Sequence, residues 1–242
     1  MKVKSSMNHK LPTWTYDETM PAGVDYRDVA EAQRYDDMHQ RFRDYEKAAE
    51  MIVKRLGLAP DSTVIDMGAG TGAFAVSAAK YCKRVYAVDV SEAMLALCQA
   101  KLKEAGLENV VCRVGGFLTY QHNDELVDAM VSVAALHHLP DHWKQVALSR
   151  AAQMIKPGGR LLLFDIVFPS EHEDLVEMLE DWIGSIRDSA GLELAQEAEI
   201  HLREEYSTYD WIMEGLLERS GFQIDEAEYD KGLQTTYICT RL

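Results

Sequence analysis

The sequence predicts an α/β fold, an open and mostly parallel sheet with helices packed on both faces. Three observations carry that expectation. Short β-branched runs alternate with helical stretches from Ser62 to Phe168, the spacing of parallel strands joined by right-handed crossovers. The run VDAMVSVAAL, starting at Val127, is almost continuously apolar, as a strand covered on both sides must be. A glycine-rich turn, GAGTG at residues 68–72, directly follows the first strand.

Residues 28–56 combine good helix formers with no proline or glycine, and Gly57 supplies a stop, so one long helix is expected there. STVIDM, ending at Met67, is the first strand, and after the glycine turn an alanine-rich helix runs to about Lys80. RVYAVDV, residues 84–90, is the second strand; the helix after it is capped by Ser91 and stopped by Gly106. NVVCRV, residues 109–114, and the apolar run from Val127 are the third and fourth. A helix from Asp141 to Ile155 leads through the turn KPGG into a fifth strand, RLLLFDIVF. There the rhythm breaks. Residues 170–206 form an acidic helical insertion and residues 207–222 resume as a helix. FQIDEAEYD and TTYICTRL then close the chain as an antiparallel hairpin. The chain 1–242 reads as one domain, with residues 14–45 and the insertion 170–206 as the material of a helical lid.

Composition narrows the function. With 25 Lys and Arg against 40 Asp and Glu, the net charge is −15. That balance opposes binding that rests on nucleic-acid phosphates or on an anionic membrane surface. The four cysteines, Cys82, Cys98, Cys112 and Cys239, follow no C-x-x-C or zinc spacing and fall in segments read as core. MKVKSSMNHKLPTW lacks the apolar stretch of a signal peptide, and no run reaches the ~18 apolar residues that span a bilayer. A soluble cytoplasmic protein is expected.

The glycine turn decides the ligand class. Gly68, Gly70 and Gly72 make G-x-G-x-G, which is neither the dinucleotide fingerprint G-x-G-x-x-G nor a Walker loop. Asp66 stands at the end of the strand before it, where a phosphate would be repelled. A carboxylate there suits a cation such as an ammonium group, although capping of the turn would also explain it. Asp89 ends the next strand, a position from which an acidic side chain accepts hydrogen bonds from ribose hydroxyls. A ligand with an amino-acid-like cationic end and a ribose, needing no phosphate, fits S-adenosylmethionine and its demethylated product.

At these residues the chain resembles the class I S-adenosylmethionine-dependent methyltransferases. DMGAGTG is similar to their first motif, VYAVDVSEAML to the second, VDAMVSVAALHHL to the fourth-strand segment and MIKPGGRLLLFD to the turn and strand beyond. The resemblance covers residues 44–168 and, more weakly, 208–242. It implies a Rossmann-like sheet of seven strands with the last antiparallel, and S-adenosyl-L-methionine as cofactor, leaving S-adenosyl-L-homocysteine. It also implies that Asp66, Gly68, Ala69, Gly70, Thr71 and Gly72 line the methionine moiety and that Asp89 holds the ribose. Val90 and Met94 would lie against the adenine, with Ala134 near the methionyl end; Met94 could equally serve core packing alone. One departure stands out. Many members place Gly-Asp after the third strand, the Asp accepting from the adenine amine, whereas this chain reads VGGFLTY. Gly116 and Phe117 are then expected at the base, with a backbone carbonyl as acceptor or with Phe117 covering the ring. An unreplaced acceptor would cost about 1 to 3 kcal/mol.

On the acceptor side, His137 and His138 sit at the carboxyl end of the fourth strand, where open α/β sheets form their crevice. His138 is the candidate general base, against a structural role for the pair at the mouth of the next helix. Asp165 could face the pocket or hold a neighbouring loop. Tyr16, Tyr26, Tyr35, Trp182, His201 and Tyr206 could wall an acceptor site or simply pack, and the run EHEDLVEMLED reads as a solvated helix face. No metal-ligand spacing is visible, so no metal is expected. The Asn/Asp-Pro-Pro-Tyr pattern that related enzymes use on exocyclic amines is absent; AALHHLP stands there instead. A small-molecule acceptor is therefore expected. A protein or tRNA acceptor, or a non-catalytic module that only binds the cofactor, stays open. A nicotinamide-dependent oxidoreductase conflicts with the glycine spacing and lacks a Tyr-x-x-x-Lys pair.

Overall fold

In the computed structural model, the described residues are 12–40, 45–171, 174–230 and 233–242. Two helices come first, α1 (Val29–Gln40) and α2 (Tyr45–Arg55). They flank residues 41–44, so the middle of the helix expected over 28–56 lies outside the described residues. The alternation then follows as β1 (Thr63–Met67), α3 (Ala73–Ala78), β2 (Arg84–Asp89), α4 (Glu92–Glu104), β3 (Val110–Val114) and β4 (Val127–Val133). Ser91 caps α4, its hydroxyl accepting from the Met94 N–H. A 3-10 turn, Leu136–His138, leads to α5 (Asp141–Met154) and β5 (Ile155–Phe168).

The KPGG turn is absorbed into β5. Val127 pairs with Ile155 but Ala129 with Arg160, so the extra residues of β5 bulge out while the ladder continues. Gly158, at φ 76°, takes the left-handed conformation that the bulge needs. The insertion forms α6 (Leu175–Ala190) and α7 (Leu192–Glu204), packed on each other. After it come a two-residue strand β6 (Thr208–Tyr209), α8 (Asp210–Arg219), β7 (Phe222–Asp230) and β8 (Gln234–Arg241).

The sheet order is β3-β2-β1-β4-β5-β8-β7, with β6 pairing the end of β5 as an eighth strand. β8 is the antiparallel member, between β5 and β7, so the expected seven-stranded arrangement is present with β6 added. Period-two alternation sorts the core onto both faces. Ile65, Met67, Val88, Met130, Leu161 and Leu163 pack on the side of α5 and α8. Val64, Ala87, Ala129, Val131, Leu162 and Ile238 pack on the other. All four cysteines are unpaired thiols. Among the described residues no helix is long and apolar enough to cross a membrane.

Candidate functional site

Because β1, β2, β4 and β5 are parallel, their carboxyl ends open on one side, and there the chain encloses a cavity of about 360 Å³. One end is walled by the glycine turn. Gly68 sits at φ 78°, and a Cβ on it would fall 2.3 Å from that of Ala135, so the turn and the segment after β4 touch through a missing side chain. Asp89 accepts from the Gly70 N–H and the Ser91 N–H, each at 2.8 Å, which fixes its carboxylate on the wall.

Asp66 lies beneath the turn rather than on the wall and is almost fully buried. Its Oδ2 has no hydrogen-bond partner. Burial, followed by the charge of Asp89, raises its pKa to about 7, against a downward pull from the Ala75 N–H. Asp89 is raised too, chiefly by burial.

Of the residues that the resemblance assigns to the cofactor, Gly68, Gly70, Asp89, Val90, Met94, Gly116, Phe117 and Ala134 line this cavity. Ala69, Thr71 and Gly72, like Asp66, do not. The Thr71 hydroxyl accepts from Lys101 Nζ at 3.0 Å, and Gly72 backs onto Cys98.

The loop after β3 also receives a carboxylate from outside it: Glu18 reaches it from the N-terminal segment. Its carboxylate accepts from the Leu118 N–H at 2.9 Å and from the Thr119 N–H and hydroxyl at 2.8 and 2.6 Å. A Cβ on Gly116 would sit 2.6 Å from the Glu18 carboxyl, so the glycine admits it. Tyr26 follows the same course, its carbonyl accepting from the Ser91 hydroxyl at 2.7 Å. Residues between Glu18 and Arg27 thereby form a strap along this end of the cavity.

The other end carries five titratable side chains from two distant segments, His137 and His138 from one and Glu197, His201 and Glu205 from the other. Asp165 does not face the cavity; it holds the loop after β4. His137 Nδ1 lies 2.5 Å from its Oδ1, and the His137 backbone N–H donates to Oδ2 at 3.1 Å. His137 Nε2 is 3.1 Å from Glu205, whose same oxygen lies 2.5 Å from His201 Nδ1. Burial alone would lower the His137 pKa, but the two carboxylates outweigh it and raise it to about 9. Burial would raise Glu205, and the histidine hydrogen bonds hold it well below the carboxylate range instead. His138, half-buried beside His137, is lowered to about 4 by desolvation and by the neighbouring His137 charge, and stays neutral.

His138, His201, Glu205, Glu197 and Trp182 all face the cavity, with Ile186 and Leu194 as apolar wall. Tyr26 lines it as well. Tyr16 and Tyr206 form an edge-on pair, and the Tyr16 hydroxyl donates to the His138 carbonyl at 3.1 Å. The Tyr35 side chain lies outside the described residues. Sequence reasoning missed Glu18, Glu197 and Glu205. Each sits in an acidic stretch where a solvated carboxylate was the simple reading, and no local pattern marks them out. It also missed a ligand-like cluster, because the donor atoms of His137, His138 and Glu205, within 4.8 Å of one another, come together only in the fold.

Comparison with known proteins agrees with this geometry. A methyltransferase-domain family model matches residues 64–159, which spans the glycine turn, Asp89 and the histidine pair. An uncharacterised methyltransferase of Anoxybacillus flavithermus is 27% identical over 84% of this chain and 92% of its own. By these matches the chain is similar to the class I S-adenosylmethionine-dependent methyltransferases. Solved structures share the fold. Magnesium protoporphyrin IX methyltransferase from Synechocystis, with bound S-adenosyl-L-homocysteine, aligns at TM-score 0.64 with 17% identity, over 90% of this chain and 97% of that one. Geranyl diphosphate C-methyltransferase from Streptomyces coelicolor, also holding S-adenosyl-L-homocysteine, aligns at TM-score 0.63 with 15% identity, over 81% and 78%.

Proposed function

We propose that this chain moves the methyl group of S-adenosyl-L-methionine onto a small molecule held between the strap and the insertion helices. The observation that carries this reading is one cavity reaching from the glycine turn and Asp89 to His138. The residues present fit the cofactor. The unpartnered oxygen of Asp66 is the buried acceptor that an ammonium group, directly or through water, would satisfy. Gly68, Gly70 and Ala134 would shape the methionyl end, with Ala69, Thr71 and Gly72 holding the turn behind them. Asp89 would take the ribose hydroxyls, and Val90, Met94, Gly116 and Phe117 the base. When bound, the cofactor supplies a sulfonium methyl that an acceptor lone pair takes as the carbon–sulfur pair returns to sulfur.

The chain's own work is alignment and exclusion of water. Trp182, Ile186 and Leu194 would hold the apolar body of the acceptor. His138, neutral and facing it, would take the acceptor's proton. Residues 14–45 and 170–206 would act as the lid. The apolar wall of Trp182, Ile186 and Leu194, and the small-molecule names of the two structural neighbours, favour a small acceptor over protein or tRNA. The four free thiols favour the cytoplasm. Calorimetry tests the cofactor assignment. S-adenosyl-L-homocysteine should bind, a nicotinamide dinucleotide should not, and Asp66→Ala should weaken binding at least tenfold. Unchanged affinity in Asp66→Ala would remove the argument.

A further inference from the structure

We propose that His137, His138 and Glu205 form a binding site for one divalent first-row transition ion at the acceptor end of the cavity. The proposal uses the functional reading above only for what the ion would do. One donor atom from each of the three side chains lies within 4.8 Å of the others. His137 Nε2 and Glu205 Oε2 stand 3.1 Å apart. That separation is the edge of an octahedron with bonds of roughly 2.2 Å, so the two atoms are spaced as neighbouring ligands of one ion.

The groups behind the cluster are those that a metal site requires. Asp165 takes the His137 Nδ1 side at 2.5 Å, which selects the tautomer whose Nε2 lone pair points at Glu205. The His137 backbone N–H on the same carboxylate fixes the ring's chain segment. His201 Nδ1, 2.5 Å from the coordinating Glu205 oxygen, orients that ligand in turn. An ion on His137 and Glu205 would sit against two carboxylates, those of Asp165 and Glu205. Two imidazoles and one carboxylate suit zinc, iron, manganese or cobalt rather than calcium or magnesium, which prefer all-oxygen shells.

The remaining coordination positions would open on the cavity, since all three ligands line it. An acceptor oxygen or nitrogen bound there would lose its proton to solvent more readily. His138 would then be a ligand in the loaded protein and the proton acceptor only in the metal-free one.

The test uses the full, tag-free chain, stripped with chelator and titrated with Co2+, Zn2+ and Mn2+. Expected are one ion per chain and visible Co2+ d–d absorption. His138→Ala and Glu205→Gln should weaken Co2+ at least ~10-fold, and Asp165→Asn ~10- to 100-fold. Each variant's retained binding of S-adenosyl-L-homocysteine shows that it is folded. Absence of ion binding by the wild-type chain overturns the proposal, as does Co2+ binding that His138→Ala and Glu205→Gln leave unchanged. Ion binding without cofactor binding would sink the functional reading and leave the metal site standing. The reverse result would sink the metal site alone.

Discussion

The end of the cavity assigned to the cofactor and the end assigned to the acceptor are assembled by opposite means. The first is made from the tips of β1 and β2 and the loops behind them, all backed by fully buried sheet residues such as Ile65, Val88 and Ala87. The second is made from the segment after β4 and from helices that join the body through a few polar ties. α6 has no buried residue, and α7 buries only Ala195 and Ala198. Arg34 of α1 grips Glu193 and Glu197 of α7 at 2.6 and 2.8 Å. The Tyr206 N–H donates to the His137 carbonyl at 2.8 Å, and Glu205 meets His137. The partly exposed Arg34 pairs contribute about 0 to 1 kcal/mol each, whereas a buried strand residue contributes several times that. The cofactor end is therefore held by the core, and the acceptor end by these ties and the buried His137–Glu205 contact.

The largest expected effect strikes the rigid end. In Gly68→Ala the new methyl meets Ala135 at 2.3 Å, and φ 78° is costly for any residue with a Cβ. Cofactor affinity should fall about 100-fold, or ~2.7 kcal/mol, by calorimetry. Adding Ala135→Gly should return the part due to the clash and leave the part due to backbone strain. If Gly68→Ala binds as wild type, the turn is not rigid and the contrast between the two ends fails.

A smaller effect, of up to tenfold per pH unit, comes from Asp66. Its raised pKa of about 7 means that the ligand-free pocket holds a proton that a cationic ligand must expel. Binding should strengthen from pH 6 to 7.5 with proton release, and Asp66→Asn should flatten the dependence. Above that range the ligand's own amino group begins to lose its proton. For folding the sign is opposite. A carboxyl whose folded pKa lies above its unfolded value contributes fully below about pH 4, and that contribution is lost as pH rises through about 7. The ligand-free protein should melt lower at pH 7.5 than at pH 5.5 by this group's share, and Asp66→Asn should lessen the drop.

The same contrast explains what could be read from the chain. Strand β1, Asp66, the glycines and Asp89 occupy one short stretch, where period-two burial and local backbone needs write themselves into contiguous residues. Ser91 as a cap and the closing hairpin were legible for the same reason. The bulge at KPGG was read as a turn because glycine and proline mark both. Glu18 and Glu205 were not legible. Their roles depend on partners about a hundred and about seventy residues away, and an acidic side chain on a helix end looks alike whether solvated or docked. Asp165 could be narrowed to two roles, and only the fold chose between them.

The smallest expected effect tests where one end stops and the other begins. Glu18 lies in the N-terminal segment outside the sheet, yet it docks on the loop after β3. Its carboxylate already accepts from two backbone N–H groups and one hydroxyl, so its work is to tie the strap down. Removing such a partly exposed charge-assisted contact costs about 1 kcal/mol, roughly fivefold in cofactor affinity. Glu18→Ala should therefore weaken S-adenosyl-L-homocysteine and its hypoxanthine counterpart by the same factor, through faster dissociation. A loss confined to the adenine form would mean that Glu18 accepts from the exocyclic amine. In that event the strap is part of the cofactor site, and the boundary drawn between the two ends lies in the wrong place.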